Sequence, residues 1–193
     1  AGARFYAGYP ITPSSEIMEY LSWRMNEVGG AFVQAESELA GINMVIGASS
    51  CGVRALTASS GPGISLKQEG ISTLCDEGLP AVVITQVRYG NGLGTLFTSQ
   101  CDYHRETRGG GQGDYRCIVL CPSSIQEFVD LMLPAYELAE KYRIVTIMMG
   151  EGTLGQMMEP VELPDFVEPK RTPWALNGHY TYKKIGIFER DSM

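Results

Sequence analysis

Two acidic side chains, Glu36 and Glu38, lie two residues apart just after a short apolar segment at residues 31–34. An apolar, helix-like pattern follows them from about residue 37 to residue 50. A strand that leads into a helix through an acidic turn places at least one carboxylate at the end of a sheet, where open α/β sheets bind ligands. Partial burial tunes the proton affinity of such a group, so one of the two is a candidate acid/base residue. The alternative is that both acids stabilise the start of the helix through its dipole.

Thr12 is a second candidate for chemistry. It belongs to the segment GYPITPSS at residues 8–15, in which two prolines fix the backbone between a strand end and a helix start. Its hydroxyl would lie near the helix start, where backbone N–H groups attract anions. An ordinary helix entry is the alternative interpretation.

Arg88 directly follows the continuous apolar segment LPAVVITQV, which is typical of a strand buried on both faces of a parallel sheet. Its guanidinium is therefore predicted to emerge at the C-terminal end of that strand, where a planar cation suits a carboxylate. The alternative is an ion pair with a loop acid such as Asp102 or Asp114.

The turn Ser-Ser-Gly-Pro-Gly at residues 59–63 separates another predicted strand from a helix. It is similar to a phosphate-binding loop, but it lacks the Lys-Ser/Thr pair of a P-loop and the full dinucleotide fingerprint. Close approach of the backbone to a ligand ring explains the glycines equally well.

The elements that must position these residues alternate between strand and helix along the chain. The predicted strands cover residues 5–9, 31–34, 53–59, 79–87, 117–121 and 144–149, and the predicted helices cover 15–28, 37–50, 64–75 and 124–142. This alternation predicts an α/β fold, a twisted parallel sheet with helices on both faces. The polar, glycine-rich region 88–115 is predicted to be a long loop, and loops of that length are usually functional or mobile.

Composition excludes several classes of protein. The chain of 193 residues is 44% apolar and 19% charged, which is typical of a globular domain, and its net charge of −7 argues against a nucleic-acid surface. No segment is long and apolar enough to span a membrane, and no signal peptide is visible. The five cysteines form no C-x-x-C pair, so neither a zinc site nor an iron–sulfur ligand set is indicated, and free thiols fit a reducing cytoplasm.

The composition changes after Gly150, where prolines punctuate an extended segment. We therefore predict one domain over residues 1–160, followed at 161–193 by an extended linker or the start of a second domain that is cut short. The chain does not begin with Met and enters within a pattern, which we interpret as an N-terminal truncation.

Together these motifs resemble the pyrimidine-binding domain of the α subunit of a 2-oxoacid:ferredoxin oxidoreductase. The segments that carry the resemblance are GYPITPSSEI at 8–17, AESELAGINMVIGAS at 35–49, TASSGPGISLKQEGIS at 57–72, Arg88, and GDYRCIVLCPSSIQE at 113–127. The resemblance covers about residues 3–165. The segments GISLKQEGIS, YLSWRM and GQMMEPVE look closest to the branch that acts on 3-methyl-2-oxobutanoate (2-ketoisovalerate).

The resemblance implies CoA-dependent oxidative decarboxylation of a 2-oxoacid to an acyl-CoA, CO₂ and reduced ferredoxin, with thiamine diphosphate as the cofactor. It implies that Glu38 is the catalytic acid, hydrogen-bonded to the N1′ nitrogen of the aminopyrimidine, and that Glu36 faces outward. Thr12 and Arg88 match positions that contact the substrate carboxylate. The remaining implied cofactor contacts are Ile11, Ser60, Gly61 and Pro62.

The same resemblance assigns other components to partner subunits. The chain lacks the Gly-Asp-Gly and distant Asn that bind magnesium diphosphate in thiamine enzymes, and it lacks ligands for a cluster. The diphosphate and Mg²⁺ are therefore expected on a β subunit, and the iron–sulfur clusters on an iron–sulfur subunit. We accordingly expect a cytoplasmic subunit that is inactive alone, works with ferredoxin and coenzyme A, and binds neither nucleic acid nor membrane.

Three departures from the family pattern bear on substrate specificity more than on cofactor use. Tyr89-Gly90-Asn91 stands where Gly-Gly-Pro is common, Cys101 where serine is expected, and Gln112 where histidine is expected. Two alternatives follow. One is the same enzyme class with 2-oxoglutarate or pyruvate as the substrate, and the other is a non-catalytic α/β scaffold subunit.

Overall fold

A six-stranded parallel sheet forms the centre of the structure, which is a computed structural model that describes residues 1–168. The strands are β1 (Phe5–Gly8), β2 (Ala31–Gln34), β3 (Ala55–Ser60), β4 (Ala81–Val87), β5 (Ile118–Leu120) and β6 (Val145–Glu151). The helices are α1 (Ser15–Glu27), α2 (Glu38–Ser50), α3 (Gly61–Asp76), α4 (Tyr103–Arg108), α5 (Ile125–Tyr142) and α6 (Gly152–Gln156). The strand order is β2-β1-β3-β4-β6-β5.

Helices cover both faces of the sheet, as the alternating pattern predicts. One core cluster includes Ile42 of α2 and Ile71 of α3, and the other includes Met25 of α1 and Tyr136 of α5. All seven residues of β4 are buried, which explains the continuous apolar sequence of that strand. The predicted α/β fold class is therefore confirmed.

The strand order creates a topological switch point. The chain runs from β1 outward to β2 and then returns to place β3 on the opposite side of β1. The connections after β1 and β3 thus diverge to opposite faces of the sheet, and open α/β sheets bind ligands at the C-terminal ends of strands at such a point. The segments that follow β1, β2, β3 and β4 all begin at this edge, and they carry the candidate residues.

Two short helices were not predicted. The glycine-rich region contains α4, and the segment after β6 begins with α6. The inward face of α3 also differs in one position from its apolar pattern, because Leu66 is 48% exposed whereas its neighbour Lys67 is fully buried. These differences lie close to the switch point.

The segment after α6 packs back on the sheet domain without forming a strand or helix up to residue 168. Glu159 Oε1 accepts a hydrogen bond from the backbone N–H of Ile125 at 2.6 Å, at the start of α5. Glu168 pairs with Arg4 at 2.9 Å. The rest of the predicted 161–193 segment lies outside the described residues. No helix in the described part of the chain is long and apolar enough to cross a membrane.

Candidate active site

The candidate site surrounds the first turn of α3, Gly61-Pro62-Gly63, which begins directly at the C-terminal end of β3. Glycines occupy the first and last positions of this turn. Gly61 has a φ of +45°, a conformation that side-chain-bearing residues rarely adopt. Two sets of residues approach the turn from different sides. We refer to Glu38, Ser59, Gly63 and Lys67 as the inner flank, and to Thr12, Gly61, Arg88 and Arg105 as the outer flank.

Glu38 is the first residue of α2, and it is only 7% exposed. The N-cap of this helix is Ser37, whose side-chain oxygen accepts a hydrogen bond from the backbone N–H of Ala40 at 3.2 Å. Ser37 therefore caps the helix, and the Glu38 carboxylate takes no part in the capping. Glu36 is exposed, in agreement with the prediction that it faces outward.

The Glu38 carboxylate lies against Gly63. A methyl group at that position would lie 2.8 Å from Glu38 Oε1 and 3.2 Å from its Cγ, and it would also collide with the hydroxyl of Ser59. The glycine therefore creates the space into which a carboxylate and a hydroxyl both project. Only a residue without a side chain permits this arrangement.

The hydroxyls of Ser59 and Ser60 are buried and have no hydrogen-bond partner within residues 1–168. Ser60 is the N-cap residue of α3, yet its side chain makes no capping hydrogen bond. Buried hydroxyls are normally satisfied, because leaving one unpaired costs about 1–3 kcal/mol. The Ser59 hydroxyl, which approaches Gly63 together with Glu38, is therefore available to a polar ligand.

Arg88 and Thr12 meet on the outer flank, as the sequence predicts. Arg88 Nη1 donates a hydrogen bond to the backbone oxygen of Thr12 at 2.9 Å, and its buried Nε has no partner among the described residues. That Nε would lie 2.7 Å from a methyl group placed on Gly61. The contact uses the carbonyl of Thr12, so its exposed hydroxyl remains available for a ligand.

The alternative ion pair of Arg88 with a loop acid is not found within residues 1–168. Asp102 instead pairs with Arg105 at 3.2 Å. Arg105 also pairs with Glu106 at 2.9 Å and donates a hydrogen bond to the backbone oxygen of Gly61 at 3.1 Å. Helix α4 is thereby fixed to the first turn of α3, and the guanidinium of Arg88 has no ion-pair partner in the described part of the chain.

The buried carboxyl of Glu106 has an unusual proton affinity. Burial raises its pKa to about 7, while the adjacent Arg105 acts in the opposite direction. A group of this kind changes its charge near neutral pH. It pairs with Arg105, the residue that joins α4 to α3.

The remaining predicted cofactor contacts lie at the same edge of the sheet. Ile11 is partly exposed, and its backbone oxygen accepts hydrogen bonds from the backbone N–H of Ser14 at 2.9 Å and from its hydroxyl at 2.8 Å. Pro62 is partly exposed on the first turn of α3. The structure therefore brings the predicted site residues to the same edge of the sheet.

Lys67 and Arg105 were missed by the sequence analysis. For Lys67 a signal existed, because Ile64, Lys67 and Ile71 follow the spacing of one helix face. For Arg105 there was none, because α4 has no apolar periodicity. Both residues approach the same turn as the predicted ones.

The chain belongs to the family of pyruvate flavodoxin/ferredoxin oxidoreductases, in which it matches the thiamine diphosphate-binding domain over residues 1–184. This match confirms the family that the motifs indicate.

Two groups of relatives show where the chain lies within that family. It is 52% identical over 180 residues to the ketoisovalerate oxidoreductase subunit VorB of Methanothermobacter marburgensis, a match that covers 92% of this chain and 51% of the relative. It is 46% identical over 169 residues to the 2-oxoglutarate synthase subunit KorA of Methanocaldococcus jannaschii, which covers 87% and 46%. The chain thus spans about half the length of these relatives and is more similar to the VorB subunit.

A solved structure confirms the fold. The chain superposes with a TM-score of 0.77 and 34% identity on a 2-oxoglutarate:ferredoxin oxidoreductase from Magnetococcus marinus, determined with 2-oxoglutarate, coenzyme A and succinyl-CoA bound. The match covers 80% of this chain and 27% of that one.

Proposed function

We propose that this chain is the part of a 2-oxoacid:ferredoxin oxidoreductase that binds the aminopyrimidine of thiamine diphosphate. The reaction is CoA-dependent oxidative decarboxylation of 3-methyl-2-oxobutanoate to an acyl-CoA, CO₂ and reduced ferredoxin. The observation that carries the proposal is the buried Glu38 carboxylate facing Gly63 at the switch point of the sheet. The 52% identity to a ketoisovalerate oxidoreductase subunit supports the choice of substrate.

The inner flank fits a polar aromatic ring. Glu38 offers a carboxyl group, Ser59 and Ser60 offer buried hydroxyls that lack partners among the described residues, and Gly63 lets Glu38 and Ser59 lie side by side. When bound, thiamine diphosphate supplies the carbon centre that carries the carbanion of the decarboxylated substrate. Glu38 holds or releases a proton at its carboxyl oxygen towards the pyrimidine nitrogen, and its burial excludes competing water.

The outer flank fits the carboxylate of a 2-oxoacid. Arg88 is partly exposed, and it forms no ion pair with a carboxylate within residues 1–168. Charge-assisted hydrogen bonds from a guanidinium to a carboxylate are strong and directional. The hydroxyl of Thr12, next to the carbonyl that orients Arg88, provides a second donor.

The other components belong to partner subunits in this proposal. A β subunit binds the diphosphate and Mg²⁺, and an iron–sulfur subunit passes electrons to ferredoxin. Within residues 1–168 no group of three or more His, Cys, Asp or Glu side chains is placed to hold a metal ion. In this proposal the chain is a cytoplasmic subunit that has no activity without its partners.

A second candidate function is the same reaction with 2-oxoglutarate. It is favoured by the 46% identity to a KorA subunit and by the structural similarity to a 2-oxoglutarate enzyme. On the outer flank, however, Arg105 is bound to Asp102 and Glu106, so it is not free to receive a second carboxylate.

The test uses the complete complex purified with its partner subunits. Coenzyme A-dependent reduction of a viologen dye is measured with 3-methyl-2-oxobutanoate, 2-oxoglutarate and pyruvate. We expect the highest kcat/KM with the branched-chain oxoacid. A higher value with 2-oxoglutarate or pyruvate would keep the mechanism and replace the substrate.

The mechanism is tested with a matched pair of variants. Glu38→Gln should reduce kcat by about 100-fold or more because it removes the acid/base group, as is typical of such losses. Glu36→Gln changes an exposed acid two residues away and should leave activity unchanged. Full activity of the Glu38→Gln complex would mean that the active site lies elsewhere, and the scaffold alternative would gain support.

A further inference from the structure

Lys67 occupies an unusual place for a lysine. It lies in the middle of α3 with a side chain that is 0% exposed, between the core residues Ile64 and Ile71 on the same helix face. Its Nζ donates a hydrogen bond to the backbone oxygen of Glu38 at 3.3 Å. It also lies 3.3 Å from the point where a Cβ of Gly41 would be, so the glycine in α2 makes room for the ammonium.

This position is electrostatically costly. Burial lowers the pKa of Lys67 to about 8, whereas the charge of Glu38 acts in the opposite direction. The ammonium also lies at the N-terminal turn of α2, where the helix dipole disfavours a cation. Glu38 is the charged residue that acts on the ammonium within residues 1–168. Replacing a buried ion by an apolar residue of similar volume is often neutral or stabilising, so fold stability alone does not explain this lysine.

We propose that Lys67 is a positioning residue for Glu38: its ammonium fixes the first turn of α2 and balances the charge of the Glu38 carboxylate at the switch point of the sheet. The proposal rests on the acid/base role of Glu38 in the proposed function. It assigns to Lys67 no contact with substrate or cofactor.

The geometry gives this role two separable parts. The hydrogen bond to the Glu38 carbonyl holds the backbone from which the carboxylate projects towards Gly63. The positive charge stabilises the negative charge that remains in the interior whenever Glu38 passes on its proton, and such stabilisation is stronger in a low-dielectric interior than in water. An error of about 1 Å in the position of a catalytic group can reduce the rate about 100-fold.

Two variants of the complete complex separate these parts. Lys67→Gln has an amide that can donate to the Glu38 carbonyl but carries no charge, and Lys67→Met removes both features at similar volume. We expect kcat to fall about 10-fold or more in Lys67→Gln and further in Lys67→Met, with little change in KM for the oxoacid. Lys141→Met, which changes an exposed lysine at the end of α5, is the matched control and should have the activity of the wild type.

A spectroscopic measurement provides a readout besides activity. Near-ultraviolet circular dichroism of the bound cofactor distinguishes the amino and imino tautomers of its pyrimidine ring. We expect the pH midpoint between these tautomers to shift in both Lys67 variants and to stay unchanged in Lys141→Met. In the wild type, kcat should fall above about pH 8 as Lys67 loses its proton. That loss should be absent from Lys67→Gln.

The outcomes are distinguishable. A Lys67→Met complex that assembles with the tautomer midpoint, kcat and pH profile of the wild type would overturn the inference. A complex that is destabilised yet normal in these measurements would show a structural role only, which also overturns it. If Lys67→Met fails to assemble, the same criteria apply to Lys67→Gln. If Glu38→Gln is inactive while the Lys67 variants are normal, only this inference fails, whereas a fully active Glu38→Gln complex removes the proposed function itself.

Discussion

The two flanks of the Gly61–Gly63 turn differ in the burial and pairing of their charged side chains. On the inner flank, Glu38 and Lys67 are both buried, and the charge of Glu38 acts on the ammonium of Lys67 within the protein interior. On the outer flank, Thr12 is exposed, and Arg88 is partly exposed and has no ion pair within residues 1–168. Proton chemistry requires a constant, water-poor environment, whereas substrate binding requires access. The structure provides both within one helical turn.

The difference in burial changes the strength of the electrostatic interactions on the two flanks. Two unit charges 4 Å apart interact by about 1 kcal/mol in water but by about 4 kcal/mol at the effective dielectric constant of a protein surface region. Changes on the inner flank should therefore have larger effects than changes on the outer flank. They should also affect kcat, whereas changes on the outer flank should affect KM.

Gly63→Ala is expected to have the largest effect because it breaks the inner flank directly. The new methyl group would lie 2.8 Å from Glu38 Oε1, so the carboxylate must move. We expect cofactor affinity to fall and kcat to drop by about 100-fold or more, measured by cofactor titration and dye reduction.

Gly47→Ala is the matched control for that substitution. Gly47 lies in α2 with open space around its Cα, and alanine there should stabilise the helix by about 1 kcal/mol. An active Gly63→Ala complex with normal cofactor affinity would refute the inner flank as the cofactor site.

Arg88→Lys tests the outer flank while it keeps the charge. Lysine lacks the planar fork of several N–H donors, with which arginine can bond the Thr12 carbonyl and a carboxylate together. We expect KM for the oxoacid to rise about 10-fold and kcat to change little, as steady-state kinetics would show. Arg108→Lys, an exposed position on α4, should leave both constants unchanged. A lower kcat with unchanged KM would place Arg88 in the chemical step instead.

Glu106→Gln tests whether the loop that borders the outer flank responds to pH. The pKa of Glu106 is raised from 4.5 to about 7, so the folded state favours the neutral carboxyl. Its contribution to stability is present below pH 4.5 and is lost as the pH rises towards 7. The midpoint of thermal unfolding should therefore fall between pH 5 and 8 more in the wild type than in Glu106→Gln.

The matched control for this pH effect is Glu69→Gln, which changes an exposed carboxyl on α3 and should keep the pH dependence of the wild type. Equal pH dependence in Glu106→Gln and the wild type would show that Glu106 does not titrate in this range.

Thr12→Ala is expected to have the smallest effect. The carbonyl that orients Arg88 remains, and only the exposed hydroxyl is lost. One neutral hydrogen bond contributes about 1 kcal/mol, so KM for the oxoacid should rise about fivefold. Thr12→Ser keeps the hydroxyl and should restore most of the affinity in the same assay. If alanine and serine behave alike, the hydroxyl does not contact the substrate.

The sequence predicts the fold well because its signals are local. The apolar segment ending at Val87 has the composition of a doubly buried strand, and Ser37 and Gly52 delimit α2 by their usual cap and turn roles. The short helix α4 has no such pattern. Its contacts with the first turn of α3 come from Arg105, and tertiary contacts of this kind are not visible in sequence.

The site was predictable only in part. The resemblance indicated Glu38, Thr12 and Arg88, but only the structure shows that Ser37 takes the capping role and that Glu38 is buried. Lys67 was missed because lysine is almost never fully buried, so a charged residue inside an apolar pattern is ordinarily assigned to the solvent face. The interior position of Lys67 can be recognised once its partner Glu38 on α2 is known.

The hydrogen bond between Arg88 and Thr12 joins residues 76 positions apart. Parallel strands also require long crossovers, so contacts of this kind form late and give a domain a high contact order. During synthesis the outer flank cannot close until residue 105 has left the ribosome, because Arg105 completes its contact with Gly61. A truncated or partly folded chain can therefore contain every catalytic motif and still lack a binding site. Substrate binding would then indicate that the whole domain has folded.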